Sequence, residues 1–246
     1  MRIDKFICDT INITRTQAKN KISKGSVFKN GKRVRSGSEQ VDFSDEIILD
    51  GNKISYRKYV YIMMNKPAGI LSASRDLHSI TALDLLSEED KRHDLFVAGR
   101  LDKDTTGFLL ITNDGSFAHD ILSPKKHIFK TYVVTLKNSV RNNYTRMFAD
   151  GIVLEDGYVC KPAKFKKLDN FKCQLEISEG KFHQIKRMFK SLDNEVVSLK
   201  RVALGSLLLD DRLNEGSYRY LNDQEIDEIL GIISKKTPQT IYRASK

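Results

Sequence analysis

Residues 99–115 read GRLDKDTTGFLLITNDG and set a short polar connection between two apolar runs. Leu95-Phe96-Val97-Ala98 precedes the connection, and Gly107-Phe108-Leu109-Leu110-Ile111 follows it. Runs of this length, closed by glycine and by Asn113-Asp114-Gly115, read as buried strands. A strand–loop–strand of this kind is a rigid mount for Asp102, the acidic residue carried in the loop. At 246 residues the chain can hold one large domain, or a large domain plus a small one.

Charge narrows the partners. The formal net charge is +10, a surplus that points to an anionic partner, nucleic acid first and a membrane surface second. Cys8, Cys160 and Cys173 are far apart, odd in number and without a C-x-x-C pair, so neither a disulfide framework nor a zinc site is expected. No histidine pair has H-x-x-x-H spacing, and His119 and His127 read as surface or cap residues. No run of about 18 apolar residues exists to span a membrane. The start, MRIDKFICDT, interrupts its apolar residues with charge and does not read as a signal peptide. These features predict a reduced, cytoplasmic protein with no metal and no membrane partner.

Patterning divides the chain near residue 58. In residues 1–58, Ile3, Phe6 and Ile7 have helical spacing, as do Ala18 and Ile22. The first helix is predicted to end near 10–13. Thr14 reads as the N-cap of a second helix, with Gln17 in the capping-box position and Gly25 at the end. Asn30-Gly31 between Val27-Phe28-Lys29 and Arg33-Val34-Arg35 is a hairpin signal. Val41 and Ile47-Ile48-Leu49 before Asp50-Gly51 complete a small sheet. The charged stretch 52–58 reads as a linker, residues 59–234 as a larger unit, and 235–246 as a polar, frayed tail. Within the larger unit, strands are predicted at 59–65, 132–136 and 171–178, a short helix at 81–86 and a longer one at 138–149. Strands and helices mix without a repeating βαβ unit, which predicts an α+β fold.

Three motifs of the larger unit carry candidate chemistry. The first holds Asp102, with Arg100 two residues earlier. Asp104 could complete a two-carboxylate glycosidase pair, but residues two apart on one loop rarely face a bond from opposite sides. Asp104 and Asp114 also suit turns and helix caps. The second motif is Lys130-Thr131-Tyr132, after SPKKH at 123–127. A half-buried strand tyrosine is the plain reading of Tyr132, and stacking on a planar ligand is the functional one. The third is EGKFHQIKRMF at 179–189. Its helix buries Ile185, Met188, Phe189 and Leu192, and Lys186 and Arg187 flank that stripe, so periodicity does not choose between them.

With NKPAG at 65–69, KRVALG at 200–205 and GSYRYL at 216–221, these motifs resemble the RsuA-type pseudouridine synthases. Arg2-Ile3-Asp4-Lys5-Phe6, Arg15-Thr16-Gln17-Ala18, Lys24-Gly25-Ser26-Val27, Asn30-Gly31-Lys32 and Asp45-Glu46-Ile47 resemble an S4 RNA-binding domain. The resemblance implies a small S4-like domain followed by a catalytic domain with a mixed, mainly antiparallel sheet flanked by helices and loops. It implies that Asp102 is catalytic, that Tyr132 stacks on a flipped uracil, and that Lys186 pairs with Asp102 to keep it ionised. Arg100 matches a family arginine used in nucleotide flipping, and Arg187 is left as a phosphate or structural residue. Arg15, Lys19 and Lys24 are expected to form one positive face along a phosphate backbone. No cofactor is expected.

Three runs, GRLDKDTTG, SPKKHIFKTY and SEGKFHQIKRMF, look closest to the family branch acting on the small ribosomal subunit. That implies uridine 516 of 16S rRNA in a small-subunit assembly intermediate as target, and a monomer as the working form. A uridine of 23S rRNA, or a non-enzymatic ribosome-assembly protein, are the alternatives.

Overall fold

The computed structural model of the protein describes residues 1–42, 44–54, 58–92, 94–123 and 126–232. They form two compact units, one of Met1–Val60 with Leu86–Leu95, the other of Tyr61–Leu85 and the chain from Phe96 onward. The first unit thus recruits a segment, 86–95, from beyond the boundary expected near residue 58.

In the first unit, α1 (Ile3–Ile11) and α2 (Arg15–Lys24) turn their apolar residues to one core. Ile3, Phe6, Ile7, Ala18 and Ile22 meet Val27, Val34, Val41, Ile47 and Leu49 there. α2 starts in a full capping box: the Thr14 hydroxyl accepts from the Gln17 N–H, and the Gln17 side chain accepts from the Thr14 N–H. Each such cap contributes about 1 kcal/mol. β1 (Val27–Lys29) and β2 (Lys32–Arg33) close over Asn30 and Gly31, both at positive φ as a type I′ turn requires. β3 (Ile47–Leu49) and β4 (Asn52–Ile54) complete an antiparallel sheet of order β2-β1-β3-β4. Asn52–Ile54, read from sequence as linker, is therefore an edge strand. Asp50 and Gly51, both at positive φ, reverse the chain so that Ile54 pairs with Ile47 and joins the core edge, while Lys53 stays outside. Residues 55–57 of that stretch, and the tail expected at 235–246, lie outside the described residues.

The second unit is built on a nine-stranded sheet. Its elements in chain order are β5 (Tyr61–Lys66), a 3-10 turn (Ala82–Leu85), β6 (Phe96–Ala98), β7 (Thr106–Thr112), α3 (Gly115–Leu122), β8 (Lys130–Leu136), α4 (Tyr144–Asp150), β9 (Lys164–Lys167), β10 (Lys172–Ile177), α5 (Gln184–Lys190), β11 (Val196–Leu204), β12 (Leu207–Leu208), β13 (Tyr218–Tyr220) and α6 (Asp223–Leu230). The main path runs β13-β5-β7-β11-β8-β10-β9, with β6 added to β7 and β12 to β11. Among the described strands only β7 and β11 pair in parallel, at Lys200↔Thr106 and Arg201↔Gly107. The fold is α+β with a mixed, mainly antiparallel sheet.

The two apolar runs around Asp102 are β6 and β7, paired antiparallel at the centre of the sheet. Phe108, Leu109, Leu110 and Ile111 are fully buried, as expected of a strand covered on both faces. α3 is capped by Asp114, whose carboxylate accepts from the Phe117 N–H and from the Tyr61 hydroxyl. The helix expected at 138–149 begins only at Tyr144. Upstream, backbone N–H groups are committed elsewhere: Lys137 donates to Glu195 O, Asn138 to the Asn194 side chain and Val140 to Asn170 O. Tyr144 and Phe148 then pack with Phe165 and Phe189.

Candidate active site

The loop between β6 and β7 is tied from several sides. Lys66, the last residue of β5, has no solvent exposure. Its ammonium donates to four carbonyls: Pro67 (3.0 Å), Asp102 (3.2 Å), Lys103 (3.1 Å) and Thr105 (2.9 Å). Burial pushes its pKa down to about 8, against the attraction of Asp104 and Asp102. The Gly69 N–H donates to Lys103 O, and the buried Ser72 hydroxyl accepts from the Leu101 N–H. Arg201, 2% exposed on β11, donates through Nε to Phe108 O and through a terminal nitrogen to Gly99 O. Gly107 makes this possible. It sits at φ +97°, and a Cβ there would lie 2.2 Å from Arg201 O, so no other residue fits where β7 meets β11.

A second segment, 179–183, faces the loop. Glu179 is buried and spends its carboxylate on three donors: the Tyr158 hydroxyl, the Lys161 N–H and the Gln184 side chain. The Gln184 carbonyl oxygen in turn accepts from the Lys181 N–H. His183 caps α5 in the left-handed conformation, φ +47°.

Between the two segments lies a cavity of about 80 Å³, lined by Arg100, Asp102, Tyr132, Lys181 and His183, with Leu101, Ile177 and Leu199 among its apolar walls. Lys186 Nζ is 3.5 Å from Asp102 Oδ2, and His183 Nε2 is 3.6 Å from Asp102 Oδ1. The shorter contacts of Lys186 are to Asp104, at 2.6 and 2.7 Å. That hydrogen bond holds the Asp104 carboxyl below the usual carboxylate range. One lysine thus bridges both carboxylates of the loop, and Asp104 is the one directly hydrogen-bonded. Tyr132 on β8 is buried, in register with Leu175 and Arg201.

The other candidates separate. Arg100 lines the cavity, is exposed and makes no hydrogen bond or ion pair among the described residues. Arg187 turns away and pairs with Asp156. In the first unit, Arg15, Lys19 and Lys24 are all exposed on α2. At 100° per residue, Arg15 and Lys19 lie on one side and Lys24 roughly half-way round, so the three do not make the single face expected. Lys66 and His183 are site residues that sequence reasoning passed over, and Asp104, read there as a turn or cap residue, is the direct hydrogen-bond partner of Lys186. A lysine ending an otherwise buried strand, Tyr61-Ile62-Met63-Met64-Asn65-Lys66, was the available signal for the first. A larger groove of about 780 Å³ lies along Lys200, Val202, Leu209 and Arg219. Asp210 pairs there with Arg212 and Arg219, and Arg219 with Glu225, and none of Arg100, Asp102, Tyr132 or Lys186 borders it.

The two units and the mixed sheet agree with comparisons to known proteins. The profile of the RNA pseudouridylate synthase family matches residues 60–191, and that of the S4 domain residues 1–47. An uncharacterized RNA pseudouridine synthase of Bacillus subtilis, YtzG, is 44% identical over 92% of this chain and 97% of its own length. The ribosomal small subunit pseudouridine synthase A of Haemophilus influenzae is 42% identical over 94% and 100%. A crystal structure of a pseudouridylate synthase, 42% identical, superposes with a TM-score of 0.67 over 93% of this chain and 99% of that one. This chain belongs to the RNA pseudouridylate synthase family and is a pseudouridine synthase with an N-terminal S4 domain.

Proposed function

We infer that this enzyme isomerises a uridine of 16S rRNA, uridine 516, in a small-subunit assembly intermediate. The observation that carries the assignment of roles is the carboxylate of Asp102, held in a cavity on a tied loop with Lys186 and His183 within 3.6 Å. The reaction breaks the N1–C1′ bond of the nucleoside, turns the base, forms C5–C1′, releases the C5 proton and takes up a proton at N1, so nothing is oxidised or reduced. An ionised carboxylate facing C1′ serves it as nucleophile or as stabiliser of an oxocarbenium-like sugar. Lys186 favours the charged form of Asp102 when a bound base excludes water. Tyr132 offers its ring to the uracil, and Arg100 is free to fill the gap the base leaves in the RNA.

The names of the relatives from Haemophilus influenzae and Salmonella typhimurium, both small-subunit synthases, support the 16S target. Arg15 and Lys19 of the S4 domain supply phosphate contacts. All the proposed catalytic groups come from one unit of one chain, which supports action as a monomer, and a ribosomal substrate implies the cytoplasm. Asp102→Asn keeps size and removes charge. It is expected to abolish tritium release from C5-labelled uridine in 16S precursor RNA while RNA affinity stays within about twofold. Near-normal release would refute the role of Asp102, and pseudouridine mapped only in 23S rRNA would refute the target.

A further inference from the structure

Phe182 presents an aromatic ring to solvent at the edge of the Asp102 cavity. Its side chain is 77% exposed, although an apolar ring left in water gains nothing for folding. The ring is nonetheless ordered by a neighbour. It lies on the His183 imidazole with centroids 3.8 Å apart and planes 17° from parallel. His183 is itself 41% exposed, and its Nε2 approaches Asp102 Oδ1. Exposed surface, stacked imidazole and carboxylate therefore form one continuous path into the cavity. The flanking residues Lys181 and His183 both line the cavity, and exposed Arg100 stands in the same wall. Phe182 is itself outside the lining of the cavity but sits between two residues of it and stacks on one, which the exposed apolar residues Leu77, Phe171 and Val197 do not.

We propose that the Phe182–His183 stack is a base-binding subsite, on which a nucleobase next to the reacting uridine stacks. An open aromatic face beside cationic side chains is the chemistry by which single-stranded RNA is held without reading its sequence. The subsite also has a mechanical use. A uridine drawn into the cavity leaves its neighbour without a stacking partner, and the Phe182 ring replaces that partner. This rests on reading the Asp102 cavity as the uridine site.

The test uses the full chain with 16S precursor RNA, and single-stranded uridine oligonucleotides carrying 2-aminopurine on the 5′ or the 3′ side of the uridine. Phe182→Ala and Phe182→Leu are expected to raise KM about tenfold with kcat changed less than twofold, and Phe182→Tyr to keep both near wild type. One of the two 2-aminopurine probes should be quenched by the wild-type protein and by Phe182→Tyr but not by Phe182→Ala. Unchanged KM in Phe182→Ala, wild-type KM in Phe182→Leu, or no quenching of either probe overturns the proposal. So does a loss confined to kcat, which would mean that Phe182 only orients His183, or a loss seen with ribosomal particles but not naked RNA, which would mean a protein partner. No product from the wild-type chain on either ribosomal RNA counts against the reading of the cavity instead, and the fluorescence measurement still decides the subsite.

Discussion

Replacing Lys66 by Met tests whether the aspartate loop is held by a buried charge. Methionine keeps the stem and removes the ammonium. Three N–H donors now serve four carbonyls, three of them on the loop 102–105. Three hydrogen bonds from a charged donor contribute roughly 5–6 kcal/mol. The net penalty on the charged form, burial less the attraction of Asp104 and Asp102, read from the fall of the pKa from 10.5 to about 8, offsets roughly 3 kcal/mol of this. The net loss is about 2–3 kcal/mol, or a fall in Tm of roughly 5–10 °C for a unit of this size. Turnover should fall with it, because the carbonyl of Asp102 itself is released. The pH dependence has a defined sign. Between about pH 8 and 10.5 the unfolded chain keeps the Lys66 proton that the folded chain sheds, so wild-type stability rises with pH there. Lys130, also buried and pushed down to about 8, acts in the same window, so the Met variant should show about half the slope. Thermal melts followed by tyrosine fluorescence, with tritium release measured in parallel, are the assays. A variant with wild-type Tm, turnover and slope would refute the reasoning.

Lys186→Met should cut tritium release about a hundredfold, the scale for losing one charge aimed at a reacting group, and the Asp104 carboxyl should rise toward its ordinary range in an NMR titration. The double variant Arg15→Ala/Lys19→Ala should lower the slope of log affinity against log salt by roughly 0.7 for each phosphate no longer neutralised, and an unchanged slope would mean that α2 does not touch the RNA. In the first unit, Asp45 is held at about 2, chiefly by the backbone N–H of Asp42, with Asn30 and Lys29 adding to it. Its stabilising contribution is present above about pH 4 and is lost as pH falls toward 2; Asp45→Asn should remove that part of the acid transition, read by circular dichroism.

Period and punctuation made much of the fold legible. The capping box at Thr14 and Gln17 and the Asn30-Gly31 turn depend on contacts within a few residues, which local sequence carries, and the apolar run Phe108–Ile111 of β7 announces a buried strand by composition alone. Part of what was not legible depends on partners far along the chain: the start of α4 is set by Asn170, Asn194 and Glu195. The strand Asn52–Ile54 is instead a close hairpin on Ile47 over Asp50-Gly51, masked by the charged and polar residues it carries. In the site, Asp102 stood out as an acid between two buried strands, whereas the loop carbonyls that hold Lys66 lie 36 to 39 residues further along the chain. The bond from Lys186 to Asp104 spans 82 residues, and nothing in the spacing of either residue announces it.

The recruitment of Leu86–Leu95 into the first unit has a consequence for synthesis. The helices and strands of that unit are complete in sequence by residue 54, and Asn12 donates its side chain to Glu88 O. The last of its residues follows Val60 by 35 positions. At roughly 5–20 residues per second, the ribosome needs about 2–7 s to add them. During that interval the S4 sheet can form while one flank still waits for its cover, and β5 emerges before either of its sheet neighbours, β7 and β13, has been made. A pause in translation before residue 95 would lengthen the exposure of both, and one after it would let the first unit finish alone.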